Sequence, residues 1–271
     1  MKIIIAKNVG FCSGVKRAIL IADKSLQNDP RPIQFLGSLV HNETVIKKFK
    51  RDGGKFIKNL KEAKRGTLII QAHGFPPFKK KLLIRDATCP LVKKVQLIAN
   101  SLLKEGYKVI IIGDKKHSET KGIKGWCKNK ALIVENENQA RKLPKFKKIG
   151  VVVQTTQNLD NVNQVLKILK TKAEKIKYFN TLCPEVRARQ QELNLILGKT
   201  DGIIVIGSKS SANTKRLFQI CKNYKKPVWW INSFKELKME DLKNLSVLGV
   251  VSGTSTPDWE IKKIRKRLKN D

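Results

Sequence analysis

The sequence predicts an α/β protein made of three related α/β units, each with a small, mostly parallel sheet. Three observations carry this. Short runs of Ile, Val and Leu alternate with stretches whose apolar residues recur at helical spacing, the pattern of strands buried on both faces between helices. A cysteine context recurs three times, as Cys12-Ser13-Gly14-Val15-Lys16, Cys89-Pro90-Leu91-Val92-Lys93 and Cys183-Pro184-Glu185-Val186-Arg187. Two further elements follow each cysteine in the same order, which marks an internal repeat.

In chain order, the apolar run Met1 to Lys7 precedes the first cysteine and is expected to join the sheet of the third unit. After Cys12, Val15, Ala18, Ile19 and Ala22 fall at helical spacing, as do Val92, Val95, Ile98, Ala99 and Leu102 after Cys89. Each cysteine is therefore expected just before a helix N-terminus, where the backbone dipole favours negative charge. The second repeated element is Phe35 to Glu43, matched by Ile111 to Glu119 and by Val205 to Asn213. It reads as a strand ending at Gly37, Gly113 or Gly207, a polar loop, and a helix. His41, His117 and Ser211 lie 29, 28 and 28 residues after the preceding cysteine. The third element, Leu68 to His73, Val151 to Thr156 and Val250 to Ser255, closes each unit. The units are placed at 8–87, 88–181 and 182–271. Ligands of parallel sheets bind beyond the carboxyl ends of the strands, and every polar motif above lies at such an end. Pseudo-threefold symmetry would bring these loops to one central point.

Length and composition bound the function. A chain of 271 residues suits two or three compact units. With 41% hydrophobic but only 6% aromatic residues, its cores must be mostly aliphatic. No apolar run approaches the ~20 residues of a membrane span, and Met1 to Lys7 is too short an apolar start for a signal peptide. Five cysteines imply no disulfide framework, and a cytoplasmic, reduced protein is expected. The net charge of +35 invites a nucleic-acid reading. The excess is mainly lysine, however, scattered along the chain without the arginine of base readout or the aromatics of single-strand binding. Solvated helix faces explain it more simply, and a basic surface can also steer an acidic partner or an anionic substrate.

The loops carry the chemistry. All three histidines of the chain fall at repeat-loop positions. Three thiolates from three units, with no C-x-x-C, do not fit a zinc ribbon, and their long separations exclude a local ferredoxin-type run. They suit a cluster at the centre of a threefold assembly. An iron–sulfur cluster with three protein ligands leaves one iron open as a Lewis acid toward a substrate oxygen. Cys127 and Cys221 lie outside the repeat and read as small buried hydrophobes.

Eight motifs in order make a resemblance specific. They are Gly10-Phe11-Cys12-Ser13-Gly14-Val15 with Arg17-Ala18, Val40-His41-Asn42, Ala72-His73-Gly74, Asp86-Ala87-Thr88-Cys89-Pro90, His117-Ser118-Glu119, Gln154-Thr155-Thr156, Gly207-Ser208-Lys209-Ser210-Ser211-Ala212-Asn213, and Gly253-Thr254-Ser255-Thr256-Pro257-Asp258. Over nearly its whole length the chain resembles the 4-hydroxy-3-methylbut-2-enyl diphosphate reductase family of the non-mevalonate isoprenoid pathway. The resemblance implies one [4Fe–4S] cluster per chain, held by Cys12, Cys89 and Cys183, whose open iron binds the substrate's allylic hydroxyl. It implies a diphosphate site of His41, His73, Ser211, Asn213 and Ser255, with His117 and Thr155 lining the pocket and Glu119 as proton donor. Reductive dehydroxylation to isopentenyl and dimethylallyl diphosphate is the implied reaction. Reduced ferredoxin or flavodoxin is the implied electron donor, and the enzyme would be a monomer or homodimer that binds neither nucleic acid nor membrane.

The chain also departs from that family. Ala212 stands where a second hydroxyl is usual. The segment between His73 and Cys89 is shorter than is typical, and Pro76 and Pro77 interrupt the start of its helix, so that only a stub is expected there. A basic, helix-like tail runs to Asp271. Two alternatives stay open at this level: another three-cysteine cluster enzyme resembling quinolinate synthase, and a basic nucleic-acid-binding protein.

Overall fold

Twelve strands among the described residues form three four-stranded sheets, and every paired strand is parallel. The computed structural model describes residues 1–269. Asn270 and Asp271, the last positions of the expected third unit and its basic tail, lie outside the described residues.

From the N-terminus, β1 (Lys2–Ile5) leads through the Cys12 loop into α1 (Ser13–Asn28), β2 (Ile33–Leu36), α2 (Glu43–Arg51), β3 (Lys55–Ile57), β4 (Thr67–Ile70) and β5 (Leu83–Asp86). The second stretch is α3 (Pro90–Lys104), β6 (Lys108–Ile112), α4 (Ser118–Trp126), β7 (Leu132–Val134), α5 (Glu137–Arg141), β8 (Phe146–Val153), α6 (Leu159–Lys170) and β9 (Ala173–Tyr178). The third is α7 (Pro184–Leu197), β10 (Gly202–Ile206), α8 (Ala212–Asn223), β11 (Val228–Ile231), β12 (Val247–Ser252) and α9 (Asp258–Lys269).

The sheets share one topology. Their strand orders are β3-β2-β4-β5, β7-β6-β8-β9 and, read in the same direction, β11-β10-β12-β1. The edge strand that precedes each cysteine is thus the fourth strand of a sheet: β5 before Cys89, β9 before Cys183, and β1 before Cys12. β1 takes that place by pairing with β12, Ile3 opposite Leu248 and Ile5 opposite Val250. The central strands β2, β4 and β10 are buried along their whole length, which is why apolar residues stand at neighbouring positions in them without alternating; their two polar residues, Gln34 and Thr67, donate to the Arg65 and Pro30 carbonyls.

The helices follow their sequence periods. Pro90 opens α3 at a position where its missing N–H costs nothing, and Val92, Val95, Ala99 and Leu102 turn inward. Asn158 caps α6 by accepting the N–H groups of Asp160 and Asn161, satisfying donors that the helix start leaves unpaired. Val162, Val165, Ile168 and Leu169 then pack α6 onto β6 and β8. Between β4 and β5 no helix forms, not even a stub: residues 75–82, with Pro76 and Pro77, run without regular structure.

The described chain falls into two compact units. One comprises Met1–Lys16, Val40–Phe49 and the chain from Pro184 on; it carries the β1-β12-β10-β11 sheet. The other comprises Arg17–Leu39 and Lys50–Cys183 and carries the remaining two sheets. No helix among the described residues is long and apolar enough to cross a membrane.

Candidate functional site

The three repeated cysteines share one backbone device. The N–H of Cys89 donates to the Ala72 carbonyl (2.9 Å), that of Cys183 to Thr155 (2.9 Å) and that of Cys12 to Thr254 (3.0 Å). Ala72, Thr155 and Thr254 are equivalent positions of the closing element, so each cysteine is pinned to the loop beyond a central strand. Each cysteine lies within two residues of a helix start and is half-buried.

Within the unit that holds residues 50–183, Arg17 braces the Cys89 loop by donating to the Thr88 carbonyl (3.0 Å). The Asp86 carboxylate accepts the Thr88 N–H (2.9 Å). Burial works against the charge of Asp86, but Thr88 and Lys93 outweigh it and hold the carboxyl below its ordinary range. Gly74, beside His73, has φ +76°, a left-handed conformation that suits glycine, and a Cβ there would run into the Gln96 side chain. His73 and His117 meet edge to face with ring centroids 5.7 Å apart.

Glu119 sits at the start of α4 and is 1% exposed. Its Oε1 accepts the N–H of Thr155 (2.7 Å) and its Oε2 accepts the Thr155 hydroxyl (2.9 Å). Burial, reinforced by the charge of Asp114 and only partly offset by Thr155, pushes its carboxyl up to about 7. The Glu119 N–H donates to His117 Nδ1 (3.2 Å), so a neutral His117 carries its proton on Nε2. Thr155 therefore holds the acid with its N–H and hydroxyl while its carbonyl holds Cys183.

Within the other unit, Gly10 (φ +80°) turns the chain into Cys12, and its conformation and the nearby Asp258 carboxylate leave no room for a side chain. Asp258 accepts the Phe11 N–H (3.0 Å). Arg189, 5% exposed, donates to the carbonyls of Gly10 (2.9 Å) and Ser252 (3.1 Å). Glu185 accepts the Ser13 N–H (3.1 Å) at the start of α1. Ser255 Oγ donates to the His41 carbonyl (3.0 Å). Burial pushes the His41 imidazole down, and Glu43 opposes that only in part. Glu43 accepts hydroxyl protons from Ser208 (2.9 Å) and Ser210 (3.2 Å). Ser211 caps α8 at Thr214. Asn213 is 1% exposed, and neither its amide oxygen nor its amide nitrogen has a hydrogen-bond partner. A buried amide left unpaired at both ends costs free energy unless a ligand completes it.

The bracing residues Arg189 and Glu185 carry no expected role in the sequence, because the backbone groups they hold lie far along the chain. Replacing Arg189 by Met would leave the Gly10 and Ser252 carbonyls unpaired in the interior, at ~1–3 kcal/mol for each group. We expect urea unfolding of the Arg189→Met protein to show a stability loss of ~2–6 kcal/mol. A loss within the error of the measurement would mean that Arg189 does not hold the Cys12 loop.

The donor set fits an iron–sulfur cluster. No disulfide joins the cysteines; Cys12, Cys89 and Cys183 are half-buried, whereas Cys127 and Cys221 are fully buried. Burial pushes those two thiols up to about 11 and about 12, so neither offers a thiolate at neutral pH. Among the described residues no three His, Cys, Asp or Glu side chains are grouped to hold a single metal ion.

Three parallel sheets of one topology, each followed by the same cysteine loop, define a class: an α/β protein of three related units, with a buried carboxyl group at the start of α4. Residues 3–269 match the family described as LytB protein, and the chain belongs to that family. The 4-hydroxy-3-methylbut-2-enyl diphosphate reductase of Dictyoglomus thermophilum is 40% identical over 276 residues, covering 100% of this chain and 97% of that protein. The Alkaliphilus oremlandii protein of the same name is 37% identical, with 100% of both chains covered. Among solved structures, the E-1-hydroxy-2-methyl-but-2-enyl-4-diphosphate reductase of Plasmodium falciparum superposes with a TM-score of 0.92 at 35% identity, over 99% of this chain and 88% of that one. A second structure, of (E)-4-hydroxy-3-methyl-but-2-enyl diphosphate reductase, described as the terminal enzyme of the non-mevalonate pathway, gives 0.72 at 35% identity over 100% of both chains.

Proposed function

We propose that this chain is the reductase that converts 4-hydroxy-3-methylbut-2-enyl diphosphate into isopentenyl and dimethylallyl diphosphate. One substrate, two electrons and two protons give one alkenyl diphosphate and one water. The observation that carries the reading is the Glu119–Thr155–Cys183 connection, which joins a buried carboxyl group to a cysteine of the repeat. Cys12, Cys89 and Cys183 would hold one [4Fe–4S] cluster. When bound, the cluster supplies electrons one at a time and an open iron that polarises the substrate oxygen.

The chain's own groups do the rest. Glu119, with a pKa of about 7, still holds a proton near neutrality and delivers it to the departing hydroxyl, a poor leaving group unless protonated. Thr155 keeps the carboxyl oriented and relays that proton. The Nε2–H of His117 presents a donor beside the acid. His41, His73, Ser211, Asn213 and Ser255 bind the diphosphate; Asn213 then gains partners for its unpaired amide. With Ala212 at the start of α8, that position has only its backbone N–H to offer, and a helix N-terminus is a good place for a phosphate oxygen. The protein works in the cytoplasm, with reduced ferredoxin or flavodoxin as electron donor.

Removing the imidazoles tests the diphosphate site. His41→Ala and His73→Ala should each weaken binding of the diphosphate substrate by ~1.5–3 kcal/mol, the value of a charge-assisted hydrogen bond. Binding of the corresponding diol, which lacks the phosphates, should barely change. Calorimetric titration with both ligands decides the matter. Equal weakening of the two would mean that the histidines organise the fold and do not read the anion.

A further inference from the structure

The first repeat departs from the other two where its last helix should stand. After β8 and β12 the chain forms α6 and α9, whose apolar faces close over their sheets. After β4 it runs instead as Phe75-Pro76-Pro77-Phe78-Lys79-Lys80-Lys81, without a helix. Phe75 and Phe78 lie half-buried against this sheet's apolar cluster. A groove of about 470 Å³ remains beside them, floored by Ile70 and Ile84 and walled by Trp126. Thr88, the residue before Cys89, lines the same groove. So does Gln96, 1% exposed, whose Nε2 has no hydrogen-bond partner. Exposed Lys79 and Lys80 stand at its rim, and Lys81 follows them. Lys93 lies over the Trp126 ring, 4.6 Å from its centroid.

We propose that this groove is the docking site of an acidic one-electron carrier protein, which reduces the cluster by way of the Cys89 loop. The inference rests on the reductase reading above. That reaction consumes two electrons, and a protein donor must seat close to a cluster ligand to pass them. The groove brings a partner to the residue next to Cys89. Its aromatic centre and cationic rim have the anatomy of a protein interface, with anchors inside and charges around them. The rim lies on a chain of net charge +35, which repels basic partners and steers acidic ones. Each docking passes one electron and no atoms: the carrier is oxidised, the cluster reduced, and two dockings complete a turnover.

The test uses the cluster-loaded enzyme and two reductants, an acidic plant-type [2Fe–2S] ferredoxin and reduced methyl viologen, a small cation that needs no docking site. The variant is Lys79→Glu with Lys80→Glu and Lys81→Glu. A control carries Lys142→Glu, Lys145→Glu and Lys167→Glu, three exposed lysines away from this segment. Stopped-flow reduction by ferredoxin at low ionic strength should slow at least ~10-fold in the groove variant and lose most of its salt dependence, as electrostatic steering is worth ~10–10³ in association rate. The control should slow much less, and viologen-driven turnover should match wild type in both. Equal slowing of the two variants, or none in either, with viologen turnover intact, would overturn the docking site and leave the reductase reading standing. A groove occupied by a second copy of the chain would appear as a wild-type dimer in sedimentation that the groove variant lacks, and that too would overturn it. Cluster-loaded wild type that fails to turn over with viologen would overturn both readings.

Discussion

Glu119→Gln should lower turnover by ~10²–10⁴-fold, the usual contribution of a general acid, while substrate affinity and iron content stay near wild type. Glutamine is isosteric, and its amide oxygen can still accept the Thr155 N–H that holds the carboxyl now. What it lacks is the proton. The pH profile separates this from a packing defect. With the Glu119 carboxyl pushed up to about 7, wild-type kcat should fall as pH rises through about 7, and the residual activity of the variant should lack that limb. Stability supplies an independent readout. Between the ordinary value of 4.5 and about 7 the folded protein keeps a proton that the unfolded chain has released. The stability due to neutral Glu119 is complete below the unfolded value and is lost as pH rises through the folded one. The variant has no such loss, so its Tm should exceed that of wild type above pH 7 by a margin that shrinks below pH 5. Turnover close to wild type would move the proton source elsewhere, for example to a water held by Thr155.

Cys12→Ser, Cys89→Ser and Cys183→Ser should each abolish stable cluster binding, whereas Cys127→Ser and Cys221→Ser should leave the iron and sulfide content unchanged. A hydroxyl is a far weaker ligand than a thiolate for iron in such a cluster. The two groups of cysteines also differ in exposure. The first three are half-buried in braced loops, while the last two lie at 0% exposure inside aliphatic cores. Serine in those cores carries a small stability penalty for its buried hydroxyl, so Tm should fall while iron content holds. The visible spectrum and the iron and sulfide content of anaerobically purified variants measure this directly. Full iron content in any of the first three would remove that cysteine from the ligand set.

Much of this protein is legible in the residues themselves. The cysteine context and the offsets to the polar loops define the repeat, because a duplicated supersecondary unit keeps its spacing wherever its strands and helices keep their lengths. The apolar runs declare a parallel sheet because both of its faces are buried. Pro76 and Pro77 signal the interrupted helix, because proline in a helix interior removes an N–H and clashes with the preceding turn. Only the tertiary structure decided which backbone atoms hold the loops. Nothing local in the sequence connects Arg189 to the Gly10 carbonyl, or Arg17 to the Thr88 carbonyl. Such bonds depend on where the chain returns after scores of residues, and carbonyls leave no signature in sequence. The same holds for Glu119. By sequence it is a carboxylate at the start of a helix, where the dipole would keep it ionised; in the fold, burial outweighs the dipole, and Thr155 fixes the orientation of a group that keeps its proton near neutral pH.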